Sequence, residues 1–516
     1  MSFSRVYSAQ APSLEATIVR VETDISNGLH AYSIVGLPTK AVEEAQDRIA
    51  AAVKNTGFTS PKQRNQKVVV SLAPASLKKE GTAFDLAIAL GYLKATRAIS
   101  FNADTVLFLG ELSLDGSLKP IRGVLPIAKA AAEAGFEQII VPRSNAKEAA
   151  FVRTIEVYGA ETLFEVITHI NTQSDVEFNP PKSIAREPIT TLTTYEQDHA
   201  VDCADIRGQE AAKRALEIAA SGGHNIAFHG PPGAGKTLLA RALVSILPPL
   251  DEEASFETTA IHSIAGTLPP NELVVTPPFR SPHHTSSPAA VIGGGNTPRP
   301  GELTLAHNGV LFLDEFPEFD RRIMESLREP LEERVVVISR SQGSVRFPAD
   351  FILAVALNPC PCGYFESETS CTCTAHDIHR YQKKLSGPLI DRIDLWSTVE
   401  AVPYTELAKR GGGEKSVDIR ARVHAAREKQ KERQKKNGAY LNNALGTREL
   451  EERCLLKKEA ESILIRSAQK MNLSARTYHR SIKIARTIAD LEGSKSVEEH
   501  HILEALQYRP AKGIGS

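Results

Sequence analysis

Residues 230–237 read GPPGAGKT. The stretch fits G-x-x-x-x-G-K-[ST], and its flanks are the ones that pattern needs: an apolar run at Asn225–His229 before it and a helix-forming run at Leu238–Ile246 after it. Glycines let the backbone wrap its N–H groups around phosphate oxygens, and the opening helix adds the positive end of its dipole. Gly230, Pro231, Pro232, Gly233, Ala234, Gly235, Lys236 and Thr237 therefore read as a cradle for ATP. In it Lys236 reaches the β- and γ-phosphates and Thr237 helps to hold Mg²⁺. A strand that feeds such a loop and then a helix predicts an α/β fold on a parallel sheet.

Farther along the chain, GVLFLDE (309–315) supplies a second buried strand that delivers Asp314 beside the Mg²⁺. Glu315, next to it, is placed to polarise the attacking water. A third strand, Phe351–Leu357, ends at Asn358, an amide able to orient that water. PLIDRIDL (388–395) sets Arg392 between Asp391 and Asp394. An arginine there either forms a structural ion pair or stabilises charge on a transferring phosphoryl group.

The same patterns divide the chain. Residues 1–170 mix strand-like runs (16–21, 67–72, 105–109, 138–141) with helix-like ones (42–56, 83–95, 127–134) and predict one α/β domain. Residues 171–204 are polar, contain Pro180-Pro181 and lack periodicity, as a linker does. Residues 205–400 alternate short apolar strands with helices, and 401–516 are predicted to be helical. With 516 residues, 42% apolar and 24% charged, the composition is that of a globular chain of about three domains. No apolar run approaches the roughly 18 residues of a membrane span, and the start, MSFSRVYSAQ, lacks a signal pattern; a cytoplasmic protein is expected. The net charge of −1 hides an asymmetry: residues 401–516 carry 24 basic against 15 acidic side chains, and 171–400 carry 19 against 30. The basic tail suits a polyanion, an acidic neighbouring subunit, or simply water.

Two insertions stand out. Thr258–Thr304 is rich in Gly, Pro, Ser and His and predicts a long functional loop. RVVVISRSQGSVRFPADF (334–351) predicts a hairpin with Arg340, Ser341, Gln342 and Arg346 near its tip, either donors to phosphate oxygens, as in DNA binding, or an ordinary solvent-exposed hairpin. NPCPCGYFESETSCTC (358–373) then packs four of the six cysteines into C-x-C-x₈-C-x-C. Cys360, Cys362, Cys371 and Cys373 suit a closed structural Zn²⁺ site, with redox chemistry and plain packing as the alternatives.

The order GPPGAGKT, LFLDE, strand-Asn, LIDRIDL, helical lid resembles an AAA+ ATPase of the magnesium-chelatase-like branch over 205–516. The resemblance implies that Asn358 is sensor 1 and that Arg392 is an arginine finger acting on a neighbour's ATP in a homo-hexameric ring. It also implies that Arg476 (or Arg480) in LSARTYHR is sensor 2, and that Ile206 and Gly208, in DIRGQ, fold over adenine. The two insertions resemble the pore-lining elements of ring helicases. SLKKEGTAFDLAIALGYL (76–93) and LDGSLKPIRGVLPIAKAAAEAG (114–135) resemble the protease domain of Lon-type proteins. Ala83 falls where the nucleophilic Ser would stand, and Leu125 lies near the position of its lysine partner, so Ser–Lys hydrolysis is lost. Thr82 is the one alternative hydroxyl.

As a whole the chain resembles the ComM/YifB family. That implies a ring helicase driving branch migration on single- and double-stranded DNA during homologous recombination in natural transformation (competence), with recombination proteins as partners. A magnesium-chelatase-type motor subunit and an ATP-driven protein remodeller are the competing expectations.

Overall fold

The computed structural model describes residues 2–510 apart from 64, 80, 172–182, 193–200, 270–271, 296–297, 341–342, 366–368, 386, 408–412 and 434–440. The chain forms two compact units. One comprises Met1–Thr193, Glu252–Val274 and Asn296–Arg299; the other comprises Thr194–Asp251, Val275–Gly295 and Pro300–Ser516.

The first unit is built on a seven-stranded mixed sheet in the order Ala31–Val35, Gln66–Ala73, Thr17–Asn27, Ser2–Gln10, Val106–Phe108, Gln138–Pro142, Glu156–Ala160. Period-two alternation decides which face is inward: in TIVRVETDISN, Val19, Val21, Thr23 and Ile25 are buried while Arg20, Asp24 and Ser26 are exposed. The helix Asp85–Ala95, apolar on every side, lies in the core with ten of its eleven residues buried. Residues 252–274 join this unit as well. Thr258–Ala265, expected as loop, instead completes a helix, Glu252–Ala265, with Glu252 and Glu253 in its first turn. The Gly- and Pro-rich composition begins only at Gly266. Ala260 and Phe256 of this helix pack with Leu125 and Phe151, and Ser263 Oγ accepts the Gly123 amide at 2.9 Å.

The second unit contains a five-stranded, all-parallel sheet in the order Phe279–Arg280, Val310–Leu313, Ile352–Leu357, Ile226–His229, Leu395–Thr398. Both faces are covered, so VLFL and ILAVAL are buried at every position, as parallel strands require. Helices Lys458–Met471, Ala475–Glu492 and Glu499–Ala505 complete the helical lid. The basic helix Ser416–Arg433 uses much of its charge internally: Arg420 donates to Ser245 O, Arg427 to Ala220 O and Lys429 to Asp490 O. Residues 434–436 of the predicted basic run lie outside the described residues. Among the described residues, no helix is long and apolar enough to cross a membrane.

Candidate nucleotide site and the opposite edge of the sheet

In a parallel sheet all strands end on one side, and ligands bind outside those carboxyl ends. The phosphate loop follows His229, Asp314 follows Leu313, and Asn358 follows Leu357, so all three arrive at that edge. Gly233 and Gly235 adopt left-handed φ of 79° and 94°, and a Cβ on Gly230 would sit 1.9 Å from Val399 O. Lys236 Nζ donates to Gly230 O (2.6 Å), Pro231 O (2.9 Å) and Asn358 Oδ1 (2.9 Å). Burial pulls the Lys236 ammonium down to about 8 against the opposing pull of Asp314 and Glu315. His229, beneath it, is lowered to about 4 by burial and by Lys236, and so adds no competing charge at neutral pH.

Thr237 Oγ1 donates to Asp314 Oδ2 at 2.9 Å, and Asp314 Oδ1 accepts the Glu315 amide at 2.9 Å. A hydroxyl and a carboxylate held side by side are the donor set that Mg²⁺ takes. Glu315 itself is left-handed (φ 50°), and its carboxylate is half-exposed. It meets His284 Nδ1 at 3.3 Å. Ile206 is buried, and Gly208 and Gln209 are both left-handed. Gln209 Nε2 donates to Glu400 O (2.6 Å), bringing this segment beside the loop residue Ala234 (3.5 Å).

Arg392 and Arg476 are not at this edge. Arg392 precedes the strand Leu395–Thr398 and so lies at the amino ends of the sheet, where its carbonyl accepts from Asn225 Nδ2 at 2.9 Å. Arg476 joins it there: both guanidinium groups donate to Glu332 Oε1, at 2.5 and 3.0 Å. Arg480 is buried and donates to the Ile393 and Asp391 carbonyls, a structural role that leaves Arg476 as the exposed arginine of the pair. Nothing in the sequence marks Glu332. For His284 the cue is the doublet His283-His284 in an otherwise small-residue insertion.

The cysteine loop leaves the strand tip at Asn358. Cys360 Sγ lies 3.3 Å from Cys362 and 3.7 Å from Cys371, Cys362 and Cys371 are 3.5 Å apart, and all four Sγ atoms fall within 4.8 Å of one another. A tetrahedron with about 2.3 Å zinc–sulfur bonds spaces its sulfurs by about 3.8 Å, so the cluster fits Zn²⁺. Backbone amides at Tyr364 and Thr372 pull the Cys362 thiol down to about 5, while the Cys371 and Cys373 thiols are pushed up, so one thiolate of the cluster is favoured before any metal arrives. The loop also touches the nucleotide edge, since a Cβ on Gly363 would stand 2.6 Å from Pro232 Cδ.

The hairpin pairs Val335–Arg340 with Gly343–Pro348 antiparallel, burying Val336, Ile338 and Phe347 and exposing Arg346. Arg340 closes the first strand, opposite Gly343; Ser341 and Gln342 lie outside the described residues. In the first unit, Ala83 and Leu125 offer neither nucleophile nor base, and the Thr82 hydroxyl donates to Glu111. Asp85 nearby is held by Arg48 at 3.0 and 3.3 Å.

A parallel sheet with a phosphate loop, paired acids and an asparagine on three strand tips, followed by a helical lid, defines an AAA+ ATPase of the magnesium-chelatase-like class. Three family models agree: "Magnesium chelatase, subunit ChlI" over residues 202–407, "Subunit ChlI of Mg-chelatase" over 21–145 and "Magnesium chelatase, subunit ChlI C-terminal" over 413–509. The chain is 41% identical over 515 residues to "Competence protein ComM" of Haemophilus influenzae, covering 99% of this chain and 98% of that protein. It is 39% identical over 511 residues to YifB of Salmonella typhimurium, covering 99% and 97%. A segment spanning 21% of this chain is 33% identical to Lon protease 2 of Bacillus subtilis, 19% of whose length it covers. The chain belongs to the ComM/YifB family.

Proposed function

We propose that this chain assembles into a cytoplasmic homo-hexameric ring that hydrolyses ATP between subunits and uses the motion to drive branch migration of DNA in natural transformation. One observation carries the reading: Lys236, Thr237, Asp314, Glu315 and Asn358 gather at one edge of the sheet, while Arg392 and Arg476 gather at the other. A single subunit therefore presents half of a phosphoryl-transfer site on each side, and head-to-tail stacking completes the site at every interface. The name of the Haemophilus relative, a competence protein, supports DNA as the substrate.

In this reading the loop amides and Lys236 bind the triphosphate. Thr237 and Asp314 would hold Mg²⁺, which would supply neutralisation of the charge that develops on the phosphates. Asn358 orients the water, Glu315 takes its proton, and the neighbour's Arg392 and Arg476 stabilise the γ-phosphoryl oxygens. Arg340 and Arg346, with Ser341 and Gln342 between them, contact DNA phosphates from the hairpin. Cys360, Cys362, Cys371 and Cys373 would hold Zn²⁺, and so would fix the loop that joins Asn358 to the second edge.

The test is a labelled three-strand junction incubated with purified protein and ATP. Strand displacement that disappears in Lys236→Ala supports the helicase; an ATPase indifferent to every DNA offered overturns it. The Lys236 environment predicts a pH effect. Its pKa is about 8 in the free loop and must rise against a triphosphate, so ATP binding takes up a proton above about pH 8 and weakens as pH climbs further. Titration calorimetry in buffers of different ionisation enthalpy at pH 8.5 reads the uptake directly. The zinc assignment predicts that Cys371→Ser lowers metal affinity by at least about 10-fold and reduces ATP turnover. Elemental analysis finding no zinc in the parent protein would return the cluster to packing or redox chemistry.

A further inference from the structure

Glu332 lies near the end of the short helix Arg328–Glu333, and one of its oxygens takes both Arg392 Nη2 (2.5 Å) and Arg476 Nη2 (3.0 Å). Two guanidinium groups brought to one point repel unless an anion stands between them. The other cations around the adjoining cavity, of about 370 Å³, have partners of their own. Arg334 pairs with Asp350 and Asn443, Lys483 donates to Asn443 O, and Arg480 donates to backbone carbonyls. Asp394 is occupied by the Asn225 amide and faces His224. The carboxylate between the two arginines is different in kind. The Glu332 side chain is 44% exposed and Arg476 46%, while Arg392 is only 11% exposed and also donates to Pro388 O at 2.5 Å. Thus Arg392 is held through Nη1 on the Pro388 carbonyl, while its Nη2 is neutralised by an anion that water can reach. The arginines hold Glu332 below the usual carboxylate range, so it stays charged at neutral pH.

We infer that Glu332 is a stand-in for the terminal phosphate of a nucleoside triphosphate on the adjacent subunit, holding Arg392 and Arg476 together until that phosphate displaces it. This rests on the reading of the two arginines as acting in trans. A half-exposed carboxylate is a weak, solvent-screened partner. A terminal phosphate carries more charge and offers three acceptor oxygens to the two planar forks. Both anions cannot occupy one point, so entry of the phosphate expels Glu332, and departure of the phosphate lets Glu332 return. Glu332 is thereby a positioning residue that sets how strongly a triphosphate, as opposed to a diphosphate, closes the interface.

The test uses the full chain and Glu332→Gln, which keeps the shape and removes the charge; Glu332→Ala serves if the glutamine variant aggregates. Ring assembly is followed by analytical ultracentrifugation with a non-hydrolysable ATP analogue and, separately, with ADP. Removing the competitor is expected to lower the protein concentration for half-assembly about two- to fivefold with the ATP analogue. With ADP no gain is expected, and nucleotide affinity of dilute subunits should stay unchanged. Assembly at the parent concentration or above with the ATP analogue, or an equal gain with ADP, overturns the inference. The trans reading fails separately, if Arg392→Ala assembles and hydrolyses ATP like the parent.

Discussion

Arg392→Ala is expected to leave ATP bound and to stop its turnover, with kcat falling by about 10³-fold or more in the assembled protein. The binding residues Lys236 and Thr237 lie at the carboxyl ends of the sheet and do not touch Arg392, whose partners are Pro388 and Glu332. Binding of nucleotide to the subunit's own loop should therefore persist. If the arginine acts on another copy, as proposed, mixing makes the result specific. Lys236→Ala retains the finger and lacks the loop; Arg392→Ala retains the loop and lacks the finger. In randomly mixed rings at equal amounts, about one interface in four pairs an intact loop with an intact finger, so turnover reappears on mixing two inactive proteins. Two variants that remain silent together would place Arg392 in a structural role within its own subunit.

Glu315→Gln is the second large effect. Glutamine keeps the size and the left-handed turn but cannot accept the proton of the attacking water, and general-base loss costs about 10²–10⁴-fold in rate. Asp314 still meets Thr237 and still accepts the amide of residue 315, so nucleotide binding should survive. The variant should accumulate with ATP bound and rings assembled, measurable as a stable complex by gel filtration with labelled nucleotide. Turnover above about a tenth of the parent rate would assign the base elsewhere, with His284, 3.3 Å from Glu315, the next residue to substitute.

The part of this site written in consecutive residues is legible in the sequence. GPPGAGKT specifies its own conformation, because glycines occur where left-handed backbone and close approach are needed and the following helix begins at Lys236. LFLDE and the strand ending in Asn358 are legible for the same reason: an unbroken buried strand has one polar tip, and a parallel sheet sends every such tip to one edge. Boundaries of several strands and helices also follow from periodicity, as in Ala475–Glu492. The strand Ser2–Gln10 does not, because SFSRVYSAQ mixes serines with small apolar residues and is weakly patterned. The second half of the helix Glu252–Ala265 is hidden by the composition of the insertion as a whole, whose loop-forming residues begin only at Gly266.

The chemistry of this protein resides in its sequence: an ATP site carried on local motifs, and four thiols spaced closely enough to surround one metal. Which residues meet over long separations is a property of the packing. Packing sets His284 against Glu315, makes Arg476 rather than the buried Arg480 the exposed partner of Arg392, and brings Arg392 and Arg476 together onto Glu332. It also places residues 252–274 with the first unit. A local motif encodes its geometry in backbone freedom and burial, which travel with the residues. A contact between distant side chains depends on how whole elements pack, and no short stretch of sequence contains that.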